Sequence, residues 1–209
     1  KDFLAPERQI QNKAFYKNAL AVLCQSKKHA GVVQRNLLIN NIVNLGGNIW
    51  NEEQLATLEN NLHAEKAIKY GILQSNNRNK GMPAAIAYCQ RNGIDFKLIE
   101  PKPFPEFIRD ISQVETLVFF PQWLETYSRF AIESRILGCK LITNSLIGAT
   151  SEDYFKLKGK ELLDFIRQNN QNLRQRWIKL IDKSEIKYFP PLDLPKITVF
   201  CPLYAGQQY

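Results

Sequence analysis

The sequence contains few of the residues that build metal sites and disulfide frameworks. It has two histidines and four cysteines among 209 residues, and no Cys-x-x-Cys pair. The cysteines are widely separated: Cys24, Cys89, Cys139 and Cys201. This scarcity argues against a zinc site and against a disulfide-stapled secreted domain. We therefore expect reduced thiols in a cytoplasmic protein, with neither a metal nor a cofactor.

Long apolar runs and long basic runs are also missing. No segment approaches the roughly 18 apolar residues of a membrane span, and no signal peptide is visible. The net charge of +8 admits nucleic acid, an anionic membrane surface or a phosphorylated substrate as partner. Because the basic residues are scattered and no RNP-like motif occurs, we expect no nucleic-acid partner. Association with a membrane surface stays open.

Short apolar runs alternate with helical patterns over residues 66–183. The runs that predict strands are residues 67–73, 96–99, 117–120 and 140–143. Helices are predicted at residues 83–90, 106–112, 128–138 and 160–183, the last as one or two helices. This order predicts an α/β fold: a Rossmann-like parallel sheet of four or five strands with helices on both faces. Residues 117–120 form an unbroken apolar run, which is typical of a central strand covered on both faces.

A smaller β–α–β pattern comes earlier. Residues 20–23 predict a strand, Ser26 is a suitable cap for a helix over residues 27–38, and residues 40–50 predict a second strand and a turn. The polar, Glu-rich residues 51–65 are interpreted as a connection. His29, near the helix start, is interpreted as a surface residue rather than a catalytic one.

Two glutamates flank the start of the helix that follows the central strand. Glu125 falls in the loop and Glu133 about one turn into the helix, and helix side chains lean toward the N-terminus. Both carboxylates are therefore expected at the crevice beyond the carboxyl ends of the strands, where open α/β sheets bind ligands. The backbone N–H groups of Tyr127, Ser128 and Arg129 open this helix and suit a diphosphate. Glu133 can accept hydrogen bonds from a ribose diol, and Glu125 from the hydroxyls of a sugar.

The segment Glu125-Thr-Tyr-Ser-Arg-Phe-Ala-Ile-Glu133 resembles the Glu-x7-Glu motif of retaining GT-B glycosyltransferases. The segment that follows, Gly138-Cys-Lys-Leu-Ile-Thr-Asn144, resembles their Gly-x-Pro-Val-Ile segment. The resemblance covers roughly residues 66–183. It departs at Thr126-Tyr127-Ser128, where the family often has Gly-Phe-Gly, and glycine allows a closer approach of phosphate to backbone.

A second resemblance concerns the loop after the first strand of the larger sheet. Lys80-Gly81 resembles the Lys-Gly of the GT-B donor domain, where an arginine and this lysine meet the donor phosphates. Arg78 is the nearest counterpart of that arginine. Fixed cations stabilise the charge that develops on a leaving diphosphate. The resemblance thus implies a retaining glycosyltransferase with Glu125 and Lys80 as catalytic residues and no required metal. It implies five donor-binding residues: Glu133, Arg78, Tyr127, Ser128 and Arg129.

The implied partners are a UDP- or GDP-linked sugar donor and a glycan or lipid-linked acceptor. The predicted organisation has three parts: the end of an acceptor-side domain with its linker (1–62), a donor-binding domain (63–189), and a linker with an opening strand (190–209). Residues 195–204 resemble the first strand of a GT-A glycosyltransferase, so we expect a longer polypeptide with a second transferase domain downstream. A terminal edge strand is the alternative for these residues. The alternative for the whole chain is a non-catalytic α/β nucleotide-binding or scaffold module.

Overall fold

Residues 13–183 are described by the computed structural model, which contains two parallel sheets. The smaller sheet pairs β1 (Val22–Cys24) with β2 (Ile42–Asn44), and α1 (Lys27–Leu37) connects them. The predicted β–α–β pattern is therefore present. The predicted strand at residues 195–204 lies outside the described residues, as does the boundary at residue 190.

The larger sheet has four parallel strands in the order β4-β3-β5-β6. The strands are β3 (Ile68–Leu73), β4 (Lys97–Ile99), β5 (Val114–Phe119) and β6 (Lys140–Thr143). The connecting helices are α3 (Met82–Arg91), α4 (Phe104–Ser112) and α5 (Arg129–Ile136). The chain turns from β3 to β4 on one side and from β5 to β6 on the other. The order of the strands therefore reverses between β3 and β5.

Alternating side chains of β5 explain why helices cover both faces. Leu117 and Phe119 belong to the main core with residues of α4 and α5. Val118 points the other way and packs with Ile72 of β3 and Cys89 of α3. The inner position of this buried strand confirms its prediction as a central strand, and four strands fall within the predicted four or five.

One prediction is wrong: residues 51–65 are not a mere connection but contain α2 (Glu52–Asn60). Asn51 Oδ1 accepts from the Gln54 backbone N–H at 2.8 Å, and Gln54 Oε1 accepts from the Asn51 N–H at 3.1 Å. This reciprocal capping box starts the helix. Leu55 and Leu58 are fully buried in the main core, which anchors the helix to α4 and α6.

The last described helix, α6 (Gly159–Lys183), is one helix rather than two and packs along both sheets. Its Asn170 binds the backbone of Trp50 on both sides, accepting from the N–H at 3.3 Å and donating to the carbonyl at 2.7 Å. Arg176 donates to the carbonyl oxygens of Asn44 and Leu45. Within residues 13–183, no helix has both the length and the apolar composition needed to cross a membrane.

His29 is not at the surface, contrary to its interpretation from the sequence. The side chain is buried beneath the start of α1, where its Nδ1 accepts from the Gln25 N–H at 3.3 Å. Ser26 occupies the predicted N-cap position and accepts from the His29 N–H at 3.1 Å. Burial lowers the pKa of His29 from 6.5 to about 4, because the charged imidazolium is poorly solvated there.

Acidification should therefore destabilise the fold through His29. Between pH 6.5 and 4 the unfolded chain binds a proton that the folded chain does not, so the free energy of unfolding falls as pH decreases through this window. The difference in pKa corresponds to about 3 kcal/mol. Urea titrations at pH 7 and pH 4.5 measure it. The variant His29→Gln, which cannot titrate, should lose less stability between the two pH values, and an identical loss would contradict this role.

Candidate functional site

The candidate site lies where the strand order reverses, at the carboxyl ends of β3 and β5. Such a reversal leaves a crevice in which open parallel sheets bind ligands. Lys80 ends a 3₁₀ turn after β3, and Glu125 lies in the loop after β5. The Lys80 Nζ atom is 3.0 Å and 3.2 Å from the two carboxylate oxygens of Glu125. The structure thus brings together the two residues that the sequence analysis assigned to catalysis.

The turn that carries Lys80 is pressed against the loop after β5. Gly81 has a φ of +71°, and a Cβ at this position would overlap the carbonyl oxygen of Phe120. The Gln122 N–H donates to the Asn79 carbonyl at 2.9 Å and joins the same two segments. Arg78 opens the turn and is exposed. Only a glycine allows the two backbones to approach so closely. This contact fixes the position of Lys80.

The start of α5 adopts an unusual backbone conformation. Ser128 takes the N-cap position with a φ of +72°, a region that glycine enters freely and that strains other residues. It stands where the GT-B motif often has its second glycine. The Ser128 hydroxyl makes no capping bond. The neighbouring Tyr127 is buried with its hydroxyl 2.7 Å from that of Tyr154, and burial raises its pKa well above 10.

Glu133 is fully buried rather than open to the crevice. Its Oε1 accepts from Trp50 Nε1 at 2.9 Å and from Arg129 Nε at 3.1 Å. Its second oxygen, Oε2, makes no hydrogen bond. Among the residues that the structure describes, the Ser128 Oγ atom is the other buried side-chain oxygen without a hydrogen-bond partner. Ser128 is the N-cap of α5, and Glu133 lies about one turn into the helix.

The guanidinium of Arg129 is held between aromatic rings beside Glu133. Its Cζ atom lies 4.9 Å from the ring centroid of Trp50 and 5.8 Å from that of Phe104. The Arg129 side chain keeps 22% of its surface exposed, against 1% for Glu133. The sequence analysis missed Trp50, and no local signal could have found it, since its partner Glu133 is 83 residues away.

The segment that follows β1 of the smaller sheet contacts the site at Thr126, the residue after Glu125. The Ser26 hydroxyl donates to the Thr126 carbonyl at 2.7 Å, and the Thr126 hydroxyl donates to Gln25 Oε1 at 2.6 Å. A Cβ at Gly148 would overlap that same Thr126 carbonyl oxygen. The absence of a side chain at Gly148 is therefore required by the close approach of protein backbone.

Potential metal ligands are not grouped in the part of the chain that the structure describes. Within residues 13–183, no three His, Cys, Asp or Glu side chains lie close enough together to hold a metal ion.

No family model matches the chain, and neither does the sequence of any curated protein. Among solved structures, sucrose-phosphate synthase from Thermosynechococcus elongatus is similar over 86% of this chain and 63% of its own, with 13% identity and a TM-score of 0.58. A second solved structure, WaaG, a glycosyltransferase involved in lipopolysaccharide biosynthesis, is similar over 76% of this chain and 56% of its own, with 8% identity and a TM-score of 0.43.

The chain therefore spans less than two thirds of the length of these solved structures. At such identities the similarity shows the fold alone. The predicted fold class, a parallel α/β sheet with helices on both faces, is confirmed, and its fold is shared with sucrose-phosphate synthase.

Proposed function

We propose that this chain is the donor-binding part of a retaining glycosyltransferase that transfers a sugar from a UDP- or GDP-linked donor to a glycan or lipid-linked acceptor. The observation that carries the proposal is the pairing of Lys80 with Glu125 where the strand order of a parallel sheet reverses. Both side chains keep just under a fifth of their surface exposed, so a ligand in the crevice can reach them. The fold shared with a sucrose-phosphate synthase supports the proposal.

In this proposal Lys80 meets the donor diphosphate. A leaving diphosphate gains negative charge as the glycosidic bond breaks, and a cation fixed in a partly dry cleft stabilises that charge. Before the donor arrives, Glu125 neutralises Lys80. Once phosphate oxygens replace it, the Glu125 carboxylate can accept hydrogen bonds from the hydroxyls of the transferred sugar.

The start of α5 supplies the other proposed donor contacts. Backbone N–H groups at residues 127–129 and the positive end of the helix dipole favour a diphosphate. A buried polar group without a partner costs about 1–3 kcal/mol, and native structures contain few of them. Two such oxygens within the first turns of one helix, on Ser128 and Glu133, support a polar ligand there. In this proposal Glu133 Oε2 accepts from a ribose hydroxyl once the donor displaces the side chains that bury it.

Replacing Lys80 with alanine tests the proposal. We expect the affinity for UDP or GDP to weaken by about 1.5–3 kcal/mol, the range for a hydrogen bond to a charged group. Calorimetry at moderate salt measures this. The matched control is Lys140→Ala, which removes the same charge from an exposed lysine at the amino end of β6. Equal affinities for the wild type and Lys80→Ala would rule out the role of Lys80.

The alternative is a non-catalytic nucleotide-binding or scaffold module. It predicts the same nucleotide binding but no sugar transfer. Nucleotide binding that depends on Lys80, in a protein that transfers no sugar in its complete form, would favour the alternative. Transfer that disappears in Glu125→Ala would favour the enzyme.

A further inference from the structure

The candidate site has a second end, near Phe104 and the Arg129 side chain. The function proposed above gives this end no ligand group to bind. Phe104 is the first residue of α4, after β4, and it is half-buried. α4 packs on one face of the larger sheet and α3 packs on the other. Lys80 and Gly81 immediately precede α3. The start of α5, with Arg129, contacts Phe104. The candidate site therefore extends across the carboxyl edge of the sheet, from Lys80 at one end to Arg129 and Phe104 at the other.

The guanidinium at this second end is fixed in place. Glu133 accepts from Arg129 Nε and lies 3.1 Å from its Nη2 atom, and the Trp50 ring packs against the guanidinium. Trp50 itself cannot shift easily, because it is fully buried and Asn170 holds its backbone N–H and carbonyl. Glu133 engages the Nε–Nη2 edge of the guanidinium, and a guanidinium carries five N–H donors, so further N–H donors remain on its Nη1–Nη2 edge.

The surroundings of Arg129 suit a neutral, planar acceptor better than a phosphate. Its charge is balanced by a carboxylate that is buried and already bound to Trp50, whereas the carboxylate beside Lys80 is partly exposed. Aromatic rings flank the guanidinium, and aromatic surfaces bind planar rings. In a donor whose diphosphate lies between Lys80 and the backbone N–H groups of residues 127–129, the ring that reaches the Arg129 guanidinium is the nucleobase.

We propose that Arg129 is a specificity-determining residue that donates a hydrogen bond to a carbonyl oxygen of the donor's nucleobase, with Glu133 and Trp50 as positioning residues. This inference rests on the proposed function. Uracil and guanine carry carbonyl oxygens, whereas adenine offers ring nitrogens as its only acceptors and places an amino group, which opposes a guanidinium donor, where guanine has its carbonyl. A site built to donate a hydrogen bond discriminates against a ligand that lacks the acceptor. The chain therefore selects UDP or GDP over ADP.

The test is calorimetric titration of the 209-residue chain with UDP, GDP and ADP. We expect UDP or GDP to bind about tenfold or more tightly than ADP, in the range of arginine contacts to base edges. Arg129→Met should remove this preference by weakening UDP or GDP while leaving ADP unchanged. Trp50→Phe, which removes the indole donor but keeps an aromatic ring, should lower the preference. Lys80→Ala is the matched control: it should weaken all three nucleotides equally and leave their ratio unchanged.

Two outcomes would overturn the inference and leave the proposed function standing. One is a wild-type chain that binds ADP as tightly as UDP and GDP. The other is an unchanged preference in a folded Arg129→Met. If the methionine variant does not fold, Arg129→Lys, which keeps the charge but not the planar donors, decides in the same way. A wild-type chain that binds none of the three nucleotides would instead overturn the proposed function itself.

Discussion

Replacing Gly81 with alanine should lower the free energy of unfolding by about 3–5 kcal/mol, among the largest effects of a single substitution. The φ of +71° alone costs alanine about 1–2 kcal/mol. The larger part is steric, because the added methyl group would overlap the Phe120 carbonyl and force apart the turn that carries Lys80 and the loop after β5. Urea denaturation measures the loss, and nucleotide affinity should decrease with it as Lys80 moves.

Gly93→Ala is the matched control for this substitution. Gly93 has a similar φ of +62°, but a Cβ there would have no neighbour within 4 Å among the described residues. Its loss should be limited to the backbone strain of about 1–2 kcal/mol. Equal losses in the two variants would show that the contact with Phe120 contributes nothing.

The second large effect is expected at Glu133. Replacing it with alanine should cost about 3–5 kcal/mol of stability, because breaking a buried ion pair leaves the other partner buried without compensation. Here the groups left behind are the Arg129 guanidinium and the Trp50 indole N–H. Glu133→Gln keeps an acceptor oxygen for Trp50 and should retain more stability. In this folded variant, UDP or GDP should bind more weakly than in the wild type.

Glu125→Ala is the variant to compare with those of Glu133. Because its partner Lys80 is partly exposed, Glu125→Ala should lower the free energy of unfolding less than Glu133→Ala does. The variant should bind the free nucleotide diphosphate normally and lose affinity only for the intact nucleotide sugar. Titrating Glu133→Gln and Glu125→Ala with both ligands decides the division of roles. Equal losses of nucleotide diphosphate affinity in the two variants would contradict it.

Local patterns predict much of this fold because its strands are short apolar runs separated by strong turn and helix signals. The proximity of Lys80 and Glu125 also follows from topology, since the carboxyl ends of neighbouring parallel strands meet at one edge. Contacts between segments that are far apart in the sequence produce no recognisable pattern in any short stretch of it. A glutamate on a helix is ordinarily solvated, whereas Glu133 is buried and accepts from Arg129 and from Trp50, which lies far away in sequence.

The errors about residues 51–65 and about His29 have related causes. Seven of the nine residues 52–60 are at least partly exposed, so their polar composition concealed a helix that buries only Leu55 and Leu58. The Asn51-x-x-Gln54 pair was the available signal. His29 was interpreted as a surface residue because it lies near the start of a predicted helix. Its burial depends on how the rest of the chain covers the start of α1, which no short window of sequence contains.

The hydrogen bonds that join Gln25 and Ser26 to Thr126 have a mechanical consequence. They attach the segment that follows β1 to Thr126, the residue immediately after Glu125, with one hydrogen bond donated in each direction. The position of the loop that carries Glu125 therefore depends on this segment as well as on β5.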